Sequence, residues 1–164
     1  MVETSEPRVI VGVSPSPAGL RALRVATAEA RRRGMPLHAV HAWESGSYGS
    51  AYLVGRREAR RVVTDCFEAT MGGLPDGVTV EVLTVVDRPA RALTGYTRDE
   101  DVLVVGRPDR PWWWRLFHRS VADRCVAHAR CPLLVVPPDA LAREAARRGA
   151  TRLLLRELAD LTGA

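Results

Sequence analysis

RVIVGVSPSPAGLRALRVATAEARRRG, residues 8–34, is the stretch that decides how this chain folds. Arg8–Val13 is a short, nearly continuous β-branched run, the pattern of a strand covered on both faces. The cluster Ser14–Pro17 then turns the chain, with Ser16 placed to cap a helix and Pro17 at its first position. Leu20, Leu23, Thr27 and Ala30 recur at helical spacing, while Arg21, Arg24 and Arg31–Arg33 fall mostly away from that stripe and Gly34 closes the helix.

The same grammar continues outward. Leu37–Trp43 reads as a strand, a helix lies within Tyr52–Met71, Gly72–Gly77 is a turn and Val78–Val86 a strand. Arg88–Thr97 reads as a short helix, Asp101–Gly106 as a strand, Ser120–Ala129 as a helix and Pro132–Val136 as the last strand. Five Val-rich, mostly non-alternating strands with four helices between them predict an α/β fold. It is a Rossmann-like, open, doubly wound five-stranded parallel sheet with helices on both faces. Residues 1–7 form a tail, 8–137 the domain and 138–164 a helical extension. In that extension Asp139 caps a helix running to Arg148, Gly149 breaks it, and Leu154, Leu158 and Leu161 mark a second amphipathic set.

At 164 residues the chain holds one domain, and 46% hydrophobic with 26% charged residues excludes disorder and fibrous repeats. All 24 basic residues are Arg; Lys, Asn and Gln are absent and Ile occurs only at Ile10. Without Lys there is no Walker A loop and no Schiff-base enzyme. The net charge of +5 is partly a matter of codon usage writing Arg for Lys, so nucleic acid is not expected as a partner. Cys66, Cys125 and Cys131 are an odd number without a CxxC pair, which suits reduced thiols. Met1–Pro7 lacks the pattern of a leader and no apolar run approaches membrane-spanning length, so a cytoplasmic protein without membrane partners is expected.

Ligands of such sheets sit at the carboxyl ends of the strands, here Val13–Ser16, Val40–Trp43 and Gly106 onward. Gly106 ends a strand, a loop Arg107–Arg119 follows, and Ser120 opens a helix whose free amides suit an anion. Residues 107–130 carry 6 Arg against 2 acids, which is most of the positive excess.

The opening segment, residues 8–43, and the closing segment DVLVVGRPDRPWWWRLFHRSVADRCVAHARCPLLVVP, residues 101–137, resemble the start and end of a universal stress protein domain. The resemblance implies a fold like that of the adenine nucleotide α-hydrolases and a non-catalytic stress-response or regulatory role. ATP-binding members carry Gly-x2-Gly-x9-Gly-Ser/Thr in the closing segment, with an Asp after the first strand and a Val on the second contacting the nucleoside. Gly106 matches the first glycine, Ser120 the final hydroxyl and Val40 the valine. Asp109 and Arg119 replace the second and third glycines, and Ser14 replaces the Asp. Asp109 adds a side chain and a negative charge where bare backbone meets phosphate, so it is unfavourable and ATP or AMP is disfavoured as a cofactor. Ser14, Ser16, Val40, Gly106, Arg107, Arg119 and Ser120 form the candidate, degenerate nucleotide cleft. The resemblance also implies a homodimer joined through the last strand, at Leu133, Leu134, Val135 and Val136.

Two other readings stay open. One is a nucleotide-binding switch retaining AMP, ATP or another anionic ligand in that cleft. The other is an interaction module using Trp112, Trp113 and Trp114 with the C-terminal helices to engage an unidentified protein; the plainer reading folds those indoles over the cleft. Cys125, His128 and Cys131 have metal-like spacing but no fourth ligand nearby, so core packing is favoured and no metal site is assigned. Arg56, Arg57, Arg60 and Arg61 fit a solvated helix face. His38, His41 and His118 have no carboxylate or nucleophile at suggestive spacing, and the HxGH and SGGxDS motifs of related enzymes are missing, so no catalytic set is assigned.

Overall fold

The computed structural model describes residues 6–43, 52–108 and 120–140. Its elements are β1 Val9–Gly12, α1 Pro17–Arg33, β2 Leu37–Trp43, α2 Tyr52–Met71, β3 Val80–Val86, α3 Pro89–Tyr96, β4 Val102–Gly106, α4 Val121–His128 and β5 Leu133–Val136. The strands form one parallel sheet in the order β3-β2-β1-β4-β5. Sequence order reverses at β1, whose two neighbours are β2 and β4.

Strand alternation sorts the side chains into two cores, one on each side of the sheet. Val9, Val11 and Val13 join Leu37, Ala39, Val102 and Val104 in a core shared with Leu23 and Ala26 of α1 and Val63, Cys66 and Phe67 of α2. Ile10, Val40, Leu103 and Val105 face the other way, onto Ala90 and Leu93 of α3 and Ala122 and Cys125 of α4. The named side chains of both cores are buried, and each buried Val or Leu contributes about 1.5–3 kcal/mol. β3 and β5 are the edges. β3 is half-buried rather than enclosed, and it begins at Val80, two residues later than its apolar run suggests.

Local chemistry sets the helix ends. Ser16 Oγ accepts the Gly19 amide at the start of α1, and Gly34 ends that helix in the left-handed conformation at φ 65°. In the last turns of α1, Glu29 pairs with Arg32 and Arg33, which hold its carboxyl down to about 2. Arg88 and Thr97 flank α3, and Ser120 and Ala129 flank α4, so the short helices predicted from sequence extend into these caps. Asp139 lies opposite Arg21 at 2.9 Å and Arg24 at 3.9 Å, and Arg21 donates to the Pro137 and Pro138 carbonyls. The path of the chain leaving β5 is thereby held against α1. The helices expected beyond Ala140, with Leu154, Leu158 and Leu161, lie outside the described residues.

The amino ends of the strands are closed by charge. Asp101 is fully buried and accepts from the Arg8 guanidinium at 2.6 Å, the Arg8 amide at 3.0 Å and the Arg98 amide at 2.9 Å. Burial by itself would push the Asp101 carboxyl up; the bonds from Arg8 and the Arg98 amide together outweigh it and hold the carboxyl below its usual value. Arg8 also lies 4.8 Å from the Tyr96 ring centroid. The Tyr96 hydroxyl meets His38 Nδ1 at 2.8 Å, and His38 Nε2 lies 3.4 Å from Glu81. His38 therefore has a carboxylate partner after all, one that the sequence hides because Glu81 is brought beside it by the β2–β3 register.

Candidate functional site: a cleft at the carboxyl ends of the strands

Where β1 and β4 part toward opposite helical layers, the sheet leaves a cleft of ≈ 410 Å³. Its walls come from five places: Gly12–Ser14 and Ser16 at the end of β1, Val40–Ala42 on β2, Pro89 and Leu93 of α3, Val105, Gly106 and Pro108 at the end of β4, and Ser120–Val121 at α4. Arg107 is not among the lining residues. Ser14, Ser16, Val40, Gly106 and Ser120, picked from separate parts of the sequence, thus stand around one space.

Two glycines allow the elements to close on each other. A Cβ on Gly106 would lie 2.5 Å from the Ala18 carbonyl carbon and oxygen and 2.7 Å from the Gly19 nitrogen, so the first turn of α1 rests directly on the end of β4. A Cβ on Gly19 would lie 2.2 Å from Ser14 Oγ and 2.4 Å from the Ser14 carbonyl oxygen. Gly106 is required by this packing whether or not a phosphate ever approaches it.

The cleft's hydroxyls are already engaged. Ser14 and Ser16 share a hydrogen bond of 2.9 Å, and Ser16 Oγ also accepts the Gly19 amide. Ser120 and Asp123 form a reciprocal cap: the Ser120 hydroxyl donates to Asp123 Oδ2 at 2.9 Å, the Ser120 amide donates to the same oxygen at 3.2 Å, and the Asp123 amide donates to Ser120 Oγ at 3.2 Å. A carboxylate therefore sits at the positive end of α4, where an anionic ligand would be attracted. Arg107 continues the β4–β5 pairing through its amide, which donates to the Val136 carbonyl at 2.8 Å, while its guanidinium lies 3.8 Å from Asp123. No Arg, Asp or Glu lines the cleft among the described residues.

His41 was not picked out by its sequence context, yet it lines this cleft and is 8% exposed. Its Nδ1–H donates to the Val13 carbonyl at 2.9 Å, just where β1 leaves the sheet. Pro89 and Leu93 were also missed, because nothing in the chain order says that α3 returns beside β1. Asp109, Trp112, Trp113, Trp114 and Arg119 lie outside the described residues.

The remaining candidates separate in space. Cys125 and Cys131 are buried in the α3–α4 core whereas His128 is exposed, so the three do not gather. Burial pushes the Cys125 thiol up to about 11, with Cys131 adding to the effect. Arg56, Arg57, Arg60 and Arg61 are exposed on α2, with Arg61 3.9 Å from Asp65. No helix among the described residues is long and apolar enough to cross a membrane.

The Universal stress protein family matches residues 7–137, nearly the whole of this architecture. The chain belongs to that family. A universal stress protein of Mycobacterium tuberculosis is 33% identical over 131 residues, covering 77% of this chain and 44% of the relative. A second from the same organism is 29% identical over 131 residues, again covering 77% and 44%. This universal stress protein chain therefore spans about half the length of the relatives it matches. Among solved structures, a universal stress protein of Archaeoglobus fulgidus superimposes with a TM-score of 0.60 at 22% identity, covering 80% of this chain and 99% of that one. A universal stress protein solved in complex with cAMP gives 0.58 at 20% identity, covering 82% and 100%. These likenesses agree with the five-stranded parallel fold.

Proposed function

We propose that this universal stress protein is a non-catalytic stress-response or regulatory factor that holds ATP weakly or not at all. One observation carries the reading: the described lining of the cleft has no Arg, Asp or Glu, and each of its three serine hydroxyls has a partner within the protein. A triphosphate entering there exchanges water for a largely apolar wall and finds the Ser120 amide and hydroxyl at the start of α4 already held by Asp123, which also lies 3.8 Å from Arg107. Ser14 offers a hydroxyl tied to Ser16 where ATP-binding relatives offer a carboxylate to the nucleoside. The protein acts in the cytoplasm as a homodimer, with β5, the edge strand among the described residues, as its seam; Leu134 there is 37% exposed.

Calorimetry with Mg·ATP tests the central point. The expected result is no saturable heat at micromolar ligand; micromolar association that Ser120→Ala abolishes would overturn the proposal. The competing reading, a nucleotide-binding switch, draws support from relatives of this fold solved with cAMP and with dAMP. The same titration with AMP and cAMP separates the two, because a switch requires a saturable response to one of them.

A further inference from the structure

The chain beyond β5 is steered as soon as it leaves the sheet. Arg21 of α1 donates to the Pro137 carbonyl at 2.9 Å and pairs with Asp139 at 2.9 Å, and Arg24 lies 3.9 Å from the other Asp139 oxygen. Ala140, the last residue described, is already helical. These contacts deliver the start of a helix onto the solvent side of α1.

Arg24 also reaches toward the neighbouring helix. Its Nε donates to the Thr70 carbonyl in the last turn of α2 at 3.4 Å, so one guanidinium joins Asp139 to the seam between α1 and α2. Further along α1, Arg31 donates to the Asp76 carbonyl at 3.0 Å. Between those two carbonyls lies Leu74, in a turn held to α1 on both sides and yet 64% exposed. Leu20 of α1 and Val62 of α2 are only partly buried against the core that the two helices share. A single exposed leucine is ordinary on a protein surface. This one stands at the foot of an incompletely covered seam onto which the chain is being aimed.

Length and sequence say what covers it. Residues 141–164 follow Ala140 directly, and these 24 residues at ~1.5 Å of rise each span ~36 Å as helix, more than the ~25 Å of α1. Leu154, Leu158 and Leu161 recur there at helical spacing, a stripe that needs an apolar floor, and Glu157 and Asp160 lie among them. On the seam, Arg31 has no carboxylate within ion-pair distance among the described residues, and the carboxylate that serves Arg21 and Arg24 is Asp139, which this same stretch of chain brings.

We infer that residues 141–164 fold back over the α1–α2 seam of their own chain, with the stripe Leu154, Leu158 and Leu161 set on Leu20, Val62 and Leu74, and with the Asp139 pairs to Arg21 and Arg24 as the hinge that aims it. The extension is then a fixed outer layer of the domain, and its leucines are used within the chain instead of on a second protein.

The three native cysteines are buried, so Leu74→Cys in the full chain places the one exposed thiol among the described residues. It is expected to react with N-ethylmaleimide at least tenfold more slowly than the same thiol in a chain that also carries Leu154→Glu and Leu158→Glu. Equal rates overturn the inference. Asp139→Asn is expected to speed the labelling several-fold, and an unchanged rate overturns the role of the hinge. A photo-cross-linking benzoylphenylalanine in place of Leu74 is expected to join a peptide from residues 141–164 at the mass of a single chain. The same adduct at twice that mass assigns the cover to a second copy and overturns the inference, as does an adduct to any other segment or none at all. If the glutamate variant does not fold, the cross-link decides alone.

Discussion

The two ends of the sheet are made of opposite materials. At the amino ends of the strands Arg8, Asp101, Arg98, Tyr96, His38 and Glu81 form a connected polar cluster that ties β1, β2, β3, β4 and α3 together. At the carboxyl ends the described lining is uncharged and open to solvent. Closing one end with ion pairs leaves the described lining of the other without a charged side chain that the fold needs.

Breaking the amino end carries the largest expected effect. Asp101→Ala leaves the Arg8 guanidinium buried without its partner and should cost about 3–5 kcal/mol in urea denaturation, the range for stripping one member from a buried pair. Gly106→Ala attacks the other end: its Cβ meets the backbone of Ala18 and Gly19, and the forced shift of α1 should cost about 1–3 kcal/mol, read by the same melt.

The third prediction concerns pH and is smaller. Burial disfavours the His38 imidazolium and Arg8 opposes it, while Glu81 and Asp101 favour it; the net direction is below the ordinary value of 6.5. In the window below 6.5 the unfolded chain therefore takes up the proton before the folded one does. Stability should fall as pH drops through that window and level off below the folded value. His38→Gln should flatten the slope, and chemical denaturation at several pH values checks it. The last prediction leaves stability almost untouched. Leu134→Arg at the exposed β5 edge should change the melting free energy by no more than about 0.5 kcal/mol, yet convert a dimer to a monomer in analytical ultracentrifugation.

Much of the architecture was legible because its signals are local. The valine runs, the Ser16–Pro17 helix start, the Gly34 stop and the Ser120 cap each declare themselves within a few residues, and the structure places them where the pattern does. What escaped depends on strand order. Arg8 and Asp101 are 93 residues apart and meet only because β1 lies against β4. His38 was read as lacking a carboxylate because Glu81 arrives through the β2–β3 register, and the valines of β3 do not reveal that it is an edge. In the cleft, Ser14, Ser16, Val40, Gly106 and Ser120 could be picked from the resemblance. Pro89 and Leu93 could not, since their place comes from the crossover that returns α3 to the side of β1, whereas His41 fell within the strand end Val40–Trp43 and was set aside only as a catalytic residue.

Each of the three cysteines is shut inside the protein: Cys66 behind α2, Cys125 and Cys131 between sheet and helices. Burial pushes the Cys66 and Cys125 thiols toward their protonated, unreactive form. Peroxide arriving at the native fold would meet no exposed thiol among the three, so sulfenylation of this chain would mark molecules that had already come undone.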